Sequence, residues 1–162
     1  MVLGIILEEM KKEYTDRVIA IITNSMNENE GRWAKETLEF HYSCQENGKH
    51  DGRLYYIAKL DGKVVGITGL HRYIWGPEDV AWLGWFTVDS EFQRLGIGHE
   101  MMERTCEIAK QKRFRKILIE TYSSDDFLKG RNFYEKFGFK RVGQIKDYIE
   151  DGTDMIVYGR NL

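Results

Sequence analysis

Gln93-Arg94-Leu95-Gly96-Ile97-Gly98 stands between an apolar run, Ala81 to Val88, and an amphipathic run, His99 to Lys112. The first reads as a buried strand and the second as a helix, so the six residues make a glycine-bearing turn from strand into helix. Glycine lets backbone approach a ligand closely, and the first N–H groups of a helix lack intrahelical acceptors, so several donors converge there. A phosphate fits such a nest. A glycine pair at a strand end also serves as a plain tight turn, and the hexapeptide alone does not separate the two uses.

The 162 residues suffice for one domain with a real core and are too few for two, so residues 1–162 read as a single domain. Hydrophobic residues at 42%, charged residues at 31% and a single proline describe a folded globular chain without long linkers. A net charge of −2 with interspersed signs argues against a nucleic-acid partner. The apolar stretches are too short for a membrane span, and Met1 to Leu7 runs into Glu8-Glu9 without a basic leader, so a cytoplasmic location is expected. Cys44 and Cys106 are isolated, which suggests free thiols, and His41, His50, His71 and His99 lack metal-ligand spacing, so no metal is expected.

Outward from the turn, Val80 to Val88 reads as one central strand covered on both faces, because Trp82, Leu83, Trp85, Phe86 and Val88 leave neither side polar. Upstream, Leu54 to Leu60 and Lys63 to Tyr73 flank Asp61-Gly62, a hairpin signature. Val2 to Leu7 suits a first strand, Asp16 to Met26 a first helix, and Trp33, Leu38 and Tyr42 a second, shorter helix blurred by Phe40 and His41. Downstream, Lys116 to Tyr122 is a strand, and a helix after Ser124 runs through Gly130, Phe133, Tyr134 and Phe137 to Gly138. Phe139 to Ile149 and Thr153 to Tyr158 form a closing hairpin about Asp151-Gly152. The order β-α-α-β-β-β-α-β-α-β-β predicts an α/β fold, a mixed sheet of about seven strands flanked by about four helices. A ligand is expected at the carboxyl end of its central strand.

Two segments at fixed order resemble the GNAT superfamily of acetyl-coenzyme A-dependent N-acetyltransferases. Val88-Asp89-Ser90-Glu91-Phe92-Gln93-Arg94-Leu95-Gly96-Ile97-Gly98 is similar to that family's pyrophosphate-binding segment, and Phe133-Tyr134-Glu135-Lys136-Phe137-Gly138-Phe139 resembles its F-Y-E-K-x-G-F segment. Ser90 stands where a proline is usual, Arg94 where a glycine is common, and Asp125, Asp126 and Phe127 where many relatives carry an asparagine. The resemblance implies acetyl-CoA as cosubstrate, gripped by backbone N–H groups of Arg94, Leu95, Gly96, Ile97, Gly98 and His99 with side chains of Gln93 and Arg94. Backbone groups in the run Phe86, Thr87 and Val88, those of Phe86 and Val88 above all, would meet the pantetheine arm.

Acetyl transfer to an amine further needs a proton for the departing thiolate and a base for the ammonium. Tyr134 is the expected acid, since a phenol titrates near 10 and a thiol near roughly 8.5. Glu120, late in its strand, is the expected base, ahead of Asp147, Glu78 and Asp79. Trp33, Tyr73, Trp75 and Trp82 are candidate walls of an acceptor pocket, Trp75 foremost. The implied reaction is direct attack of a primary amine within a ternary complex, with a small-molecule amine preferred. A protein N-terminal or lysine acceptor and a noncatalytic acyl-CoA sensor are the alternatives, and a homodimer through a sheet edge is compatible with the sequence.

Overall fold

The computed structural model describes residues 4–162. In chain order these form β1 (Ile6–Glu9), α1 (Thr15–Ser25), α2 (Glu28–Glu46), β2 (Arg53–Leu60), β3 (Lys63–His71), β4 (Val80–Leu83), β5 (Thr87–Val88), α3 (Ile97–Gln111), β6 (Lys116–Tyr122), α4 (Leu128–Phe137), β7 (Lys140–Ile145) and β8 (Met155–Asn161). One sheet runs β1-β2-β3-β4-β6-β8-β7, with β5 paired to β3. Only β4 and β6 run parallel, because α3 carries the chain across between them. The architecture is the mixed α/β sheet with four helices that the element order predicts. No helix among the described residues is long and apolar enough to cross a membrane.

Two apolar clusters cover the two faces, as the two-residue alternation of strand side chains requires. Val18, Ile22 and Leu38 of α1 and α2 pack on Tyr55, Ile57 and Ile67. Met101, Met102 and Ala109 of α3 pack with Tyr134 of α4 on Val65, Ile117 and Ile119.

The expected strand Val80 to Val88 is instead two, which raises the count to eight. Leu83 pairs with Leu70 and Thr87 with Ile67, so four steps along one chain oppose three along the other. The extra residue is a β-bulge at Gly84-Trp85-Phe86, and β5 keeps β3 as its partner while β6 turns to β8. The second helix is longer than the first, not shorter: Asn27 caps it by accepting from the Glu30 N–H at 2.8 Å. Phe40 faces solvent and His41 is buried against Asp51, which resolves the blurred pattern. The first strand begins at Ile6 rather than Val2, and Met1 to Leu3 lie outside the described residues. The closing hairpin has no two-residue turn. Residues 146–154 form a loop whose Asp154 carboxylate accepts from the Asp147 N–H at 3.0 Å and from Lys146 at 3.1 Å.

α1 and α2 approach closely because residue 31 has no side chain. A Cβ at Gly31 would collide with Thr23 Oγ1 and stand 3.1 Å from the Thr23 Cβ. Overpacking of this kind costs about 1–3 kcal/mol, and helix propensity returns at most about 1 kcal/mol for glycine to alanine. Gly31→Ala is therefore expected to lower Tm in a thermal melt. A raised Tm would mean that Thr23 moves aside freely.

Candidate active site

The turn from β5 into α3 is built by local chemistry. Asp89 Oδ1 accepts from the Glu91 N–H at 3.1 Å, and the same carboxylate is ion-paired with Arg17 of α1, which fixes the end of β5. Arg94 at φ 65° and Gly96 at φ 83° then bend the chain through the left-handed region. Only glycine enters that region without strain, so Arg94 occupies a conformation that explains a common glycine at its position. The first intrahelical bond here is Glu100 N–H to Gly96 C=O at 3.2 Å, so the N–H groups of Ile97, Gly98 and His99 have no intrahelical acceptor.

A cavity of about 440 Å³ opens at this nest and runs along β5 to α4. Gln93, Arg94, Gly96, Gly98 and His99 line it, as do Phe86, Thr87 and Val88. Ile97 is core and Leu95 faces solvent at 49% exposure, so these two can contribute backbone alone. The His99 ring is directed toward Glu103, with Nε2 3.3 Å from Oε1, and packs on Phe137. Lys129, not singled out from the sequence, also lines the cavity and donates to Gln93 Oε1 at 3.0 Å.

The bulge frees backbone in the same cavity. Asp89 N–H donates to Val65 C=O at 2.8 Å and Thr87 pairs with Ile67, so Thr87 turns its backbone groups to β3. By alternation Phe86 and Val88 turn theirs into the gap beside β6. The Val88 carbonyl there accepts from Gln93 Nε2 at 3.0 Å.

Tyr134 stands at the junction between this cavity and a second one of about 200 Å³. Its ring is held by Phe86, Phe133 and Phe139, and no group among the described residues is hydrogen-bonded to its hydroxyl. Burial pushes the phenol above its ordinary value, so it stays protonated. The second cavity contains Glu120, whose Oε1 accepts from the Tyr122 hydroxyl at 2.8 Å, and Tyr122 is stacked on Tyr148 of the closing loop.

Of the four aromatic residues expected to wall an acceptor pocket, Trp33 and Trp82 line the second cavity, and Tyr73 and Trp75 do not. Trp75 is 85% exposed and stacked on Tyr73, because the loop after β3 turns it outward. Asp79 is paired with Arg115 at 2.8 Å, Glu78 is exposed, Asp147 lies in the closing loop, and none of the three reaches either cavity.

Glu30 was missed. It is 8% exposed, lines the second cavity and accepts from Trp85 Nε1 at 3.0 Å. Desolvation by burial is the main cause of its raised pKa, the Trp85 bond opposes it, and Glu120 adds to it. The sequence signal was a carboxylate in register with the buried stripe Ala34, Leu38 and His41, once Asn27 is taken as the cap.

Residues 11–139 match the model of the acetyltransferase (GNAT) family. The chain belongs to the GNAT acetyltransferases. It is 29% identical over 104 residues to an N-acetylaspartate synthetase of Danio rerio, a match covering 64% of this chain and 36% of that longer protein. A GNAT-family structure from Desulfovibrio desulfuricans shares the fold with a TM-score of 0.85 at 18% identity, covering 98% of this chain and 99% of that one. A GNAT acetyltransferase from Elizabethkingia anophelis, solved with acetyl-CoA bound, gives 0.74 at 20% identity over 98% and 99%.

In this GNAT chain Glu30 is held against stability. An acid whose folded pKa is raised loses folding stability as pH climbs from its unfolded value through its folded one, since unfolding then releases the proton. Glu30→Gln keeps an acceptor for Trp85 and removes the buried charge. It is expected to raise Tm near neutral pH, with the gain vanishing below the ordinary value of 4.5. A loss of Tm that is the same at every pH would show that the charge is compensated in the fold.

Proposed function

We propose that this GNAT chain moves an acetyl group from acetyl-CoA to a primary amine by direct attack in a ternary complex, with a compact amine preferred to a polypeptide. One observation carries the reading. The cavity beginning at the nest and the cavity bearing the carboxylates adjoin, with Tyr134 lining both alongside Met26, Phe86, Thr121 and Phe127.

The free N–H groups of the turn and of Gly98 and His99 bind the pyrophosphate, assisted by the helix dipole and by the cations of Arg94 and Lys129. The backbone of Phe86 and Val88 hydrogen-bonds the pantetheine arm, as another strand would. The acceptor enters from the second cavity as an ammonium, and Glu120 takes one of its protons, directly or through water, for release to solvent. The neutral nitrogen attacks the thioester carbon, the N–C bond forms and the C–S bond breaks. A second proton passes from nitrogen to sulfur.

Tyr134 faces the departing thiolate. Its phenol starts near 10 and burial raises it, whereas a thiol titrates near about 8.5, so complete transfer is uphill by at least about 2 kcal/mol. The hydroxyl therefore acts chiefly as a hydrogen-bond donor to the charge that develops as the C–S bond breaks. The smaller cavity lies below the usual 300–1,000 Å³ range of ligand pockets, which supports a compact acceptor.

Tyr134→Phe removes this donor without breaking an intramolecular hydrogen bond. Steady-state kinetics are expected to show kcat lowered about 100-fold or more, with coenzyme affinity by calorimetry and Tm nearly unchanged. An unaltered kcat would remove Tyr134 from the chemistry.

A further inference from the structure

The second cavity is acidic and aromatic at once. Glu30 Oε2 is taken by Trp85, Oε1 has no hydrogen-bond partner among the described residues, and the residue, 8% exposed, lines the cavity. A largely buried carboxylate bordering a cavity is costly to hold ionised until a cation arrives beside it. Glu120 borders the same space and adds a second negative charge.

Other charged groups on the walls do not cancel this field. Arg53 lies 3.8 Å from Asp51, whose carboxylate also meets His41 at 2.9 Å, so its charge is balanced within that cluster. His71 is neutral near pH 7, because burial first and Arg53 second lower it to about 4. An anionic acceptor would be repelled. Trp33, Trp82 and Trp85 line the same cavity as the two carboxylates, and Gly84 adds no side chain to it. Indole faces attract ammonium ions and stack on flat rings.

Resting on the transferase reading, we propose that the acceptor is an arylalkylamine, its ammonium held by Glu30 and Glu120 and its ring packed against the tryptophan walls. Glu30 anchors the ammonium from below, and the more exposed Glu120 carries the proton outward. The small cavity suits a ring on a short chain.

Binding can be read without turnover, with free coenzyme A in place of the acetylated form, through tryptophan fluorescence and calorimetry. Phenethylamine is expected to bind about ten-fold or more tightly than phenylethanol, phenylpropionate, aspartate or putrescine, a tenfold ratio being about 1.4 kcal/mol. Glu30→Gln and the exposed-site variant Glu120→Gln should each reduce phenethylamine affinity by about the same factor and leave phenylethanol unaffected. Equal or tighter binding of any comparator would overturn the proposal, as would full phenethylamine affinity in Glu30→Gln. If Glu30→Gln does not fold, the wild-type comparison and Glu120→Gln decide alone. Acetyl-CoA binding measured without amine reports separately on the transferase reading, so failure of one is distinguishable from failure of the other.

Discussion

A single extra residue in one strand organises this molecule. Between Leu83 and Thr87 the chain takes one step more than its partner β3, and the sheet opens there. Were β4 and β5 continuous, their backbone would be used on both sides and neither cavity would have a floor. The bulge instead turns Phe86 onto Tyr134 and Phe133 while Trp85 meets Glu30. The free strand edge and the carboxylate cavity both depend on that break.

Several features around the break run against folding. Arg94 takes a left-handed conformation, which costs a non-glycine residue about 1–2 kcal/mol. Glu30 is desolvated, and the Phe86 backbone groups turned into the gap have no strand beside them. Elsewhere the same fold settles its polar groups thoroughly. Thr68 and Thr105 bond at 2.9 Å inside the core, His41 meets Asp51, and no fully buried side-chain nitrogen or oxygen among the described residues lacks a partner. Left-handed backbone also occurs at Asp61, Arg113 and Asp147, so what sets this place apart is the desolvated Glu30 beside unpaired strand backbone.

Much of the scaffold was legible because local rules decided it. Asp61-Gly62 supplies two positive φ values, 50° and 78°, and the hairpin follows. Gly138 at φ 107° ends α4 where the sequence put its end. The errors share a different cause. Trp82 to Val88 carries only one polar side chain, Thr87, so no alternation reveals an inserted residue, and the bulge depends on where β3 already stands. Glu30 sits among the polar residues Asn27, Glu28 and Asn29, and its partner Trp85 is more than fifty residues away, so nothing local marks it as buried. Trp75 looked like a pocket wall because tryptophans usually are buried, yet its loop turns it outward.

The two sides of the site are therefore made of different material, and this governs what sequence can say about each. The proposed donor side is largely backbone: N–H groups at a helix start, strand groups left unpaired by a bulge, and glycine where φ is positive. Backbone geometry demands particular residue types at fixed spacing, so Gly96, Gly98 and the segment around Tyr134 are visible in the primary structure. The proposed acceptor side is made of side chains brought from α2, β2, β3, β4 and β6, each at a position that many residue types could occupy without altering the fold. Only tertiary packing brings Glu30 toward Glu120 among the indoles. A motif identifies what the backbone holds, whereas the charge and shape of the proposed acceptor cavity appear only once the strands have been laid side by side.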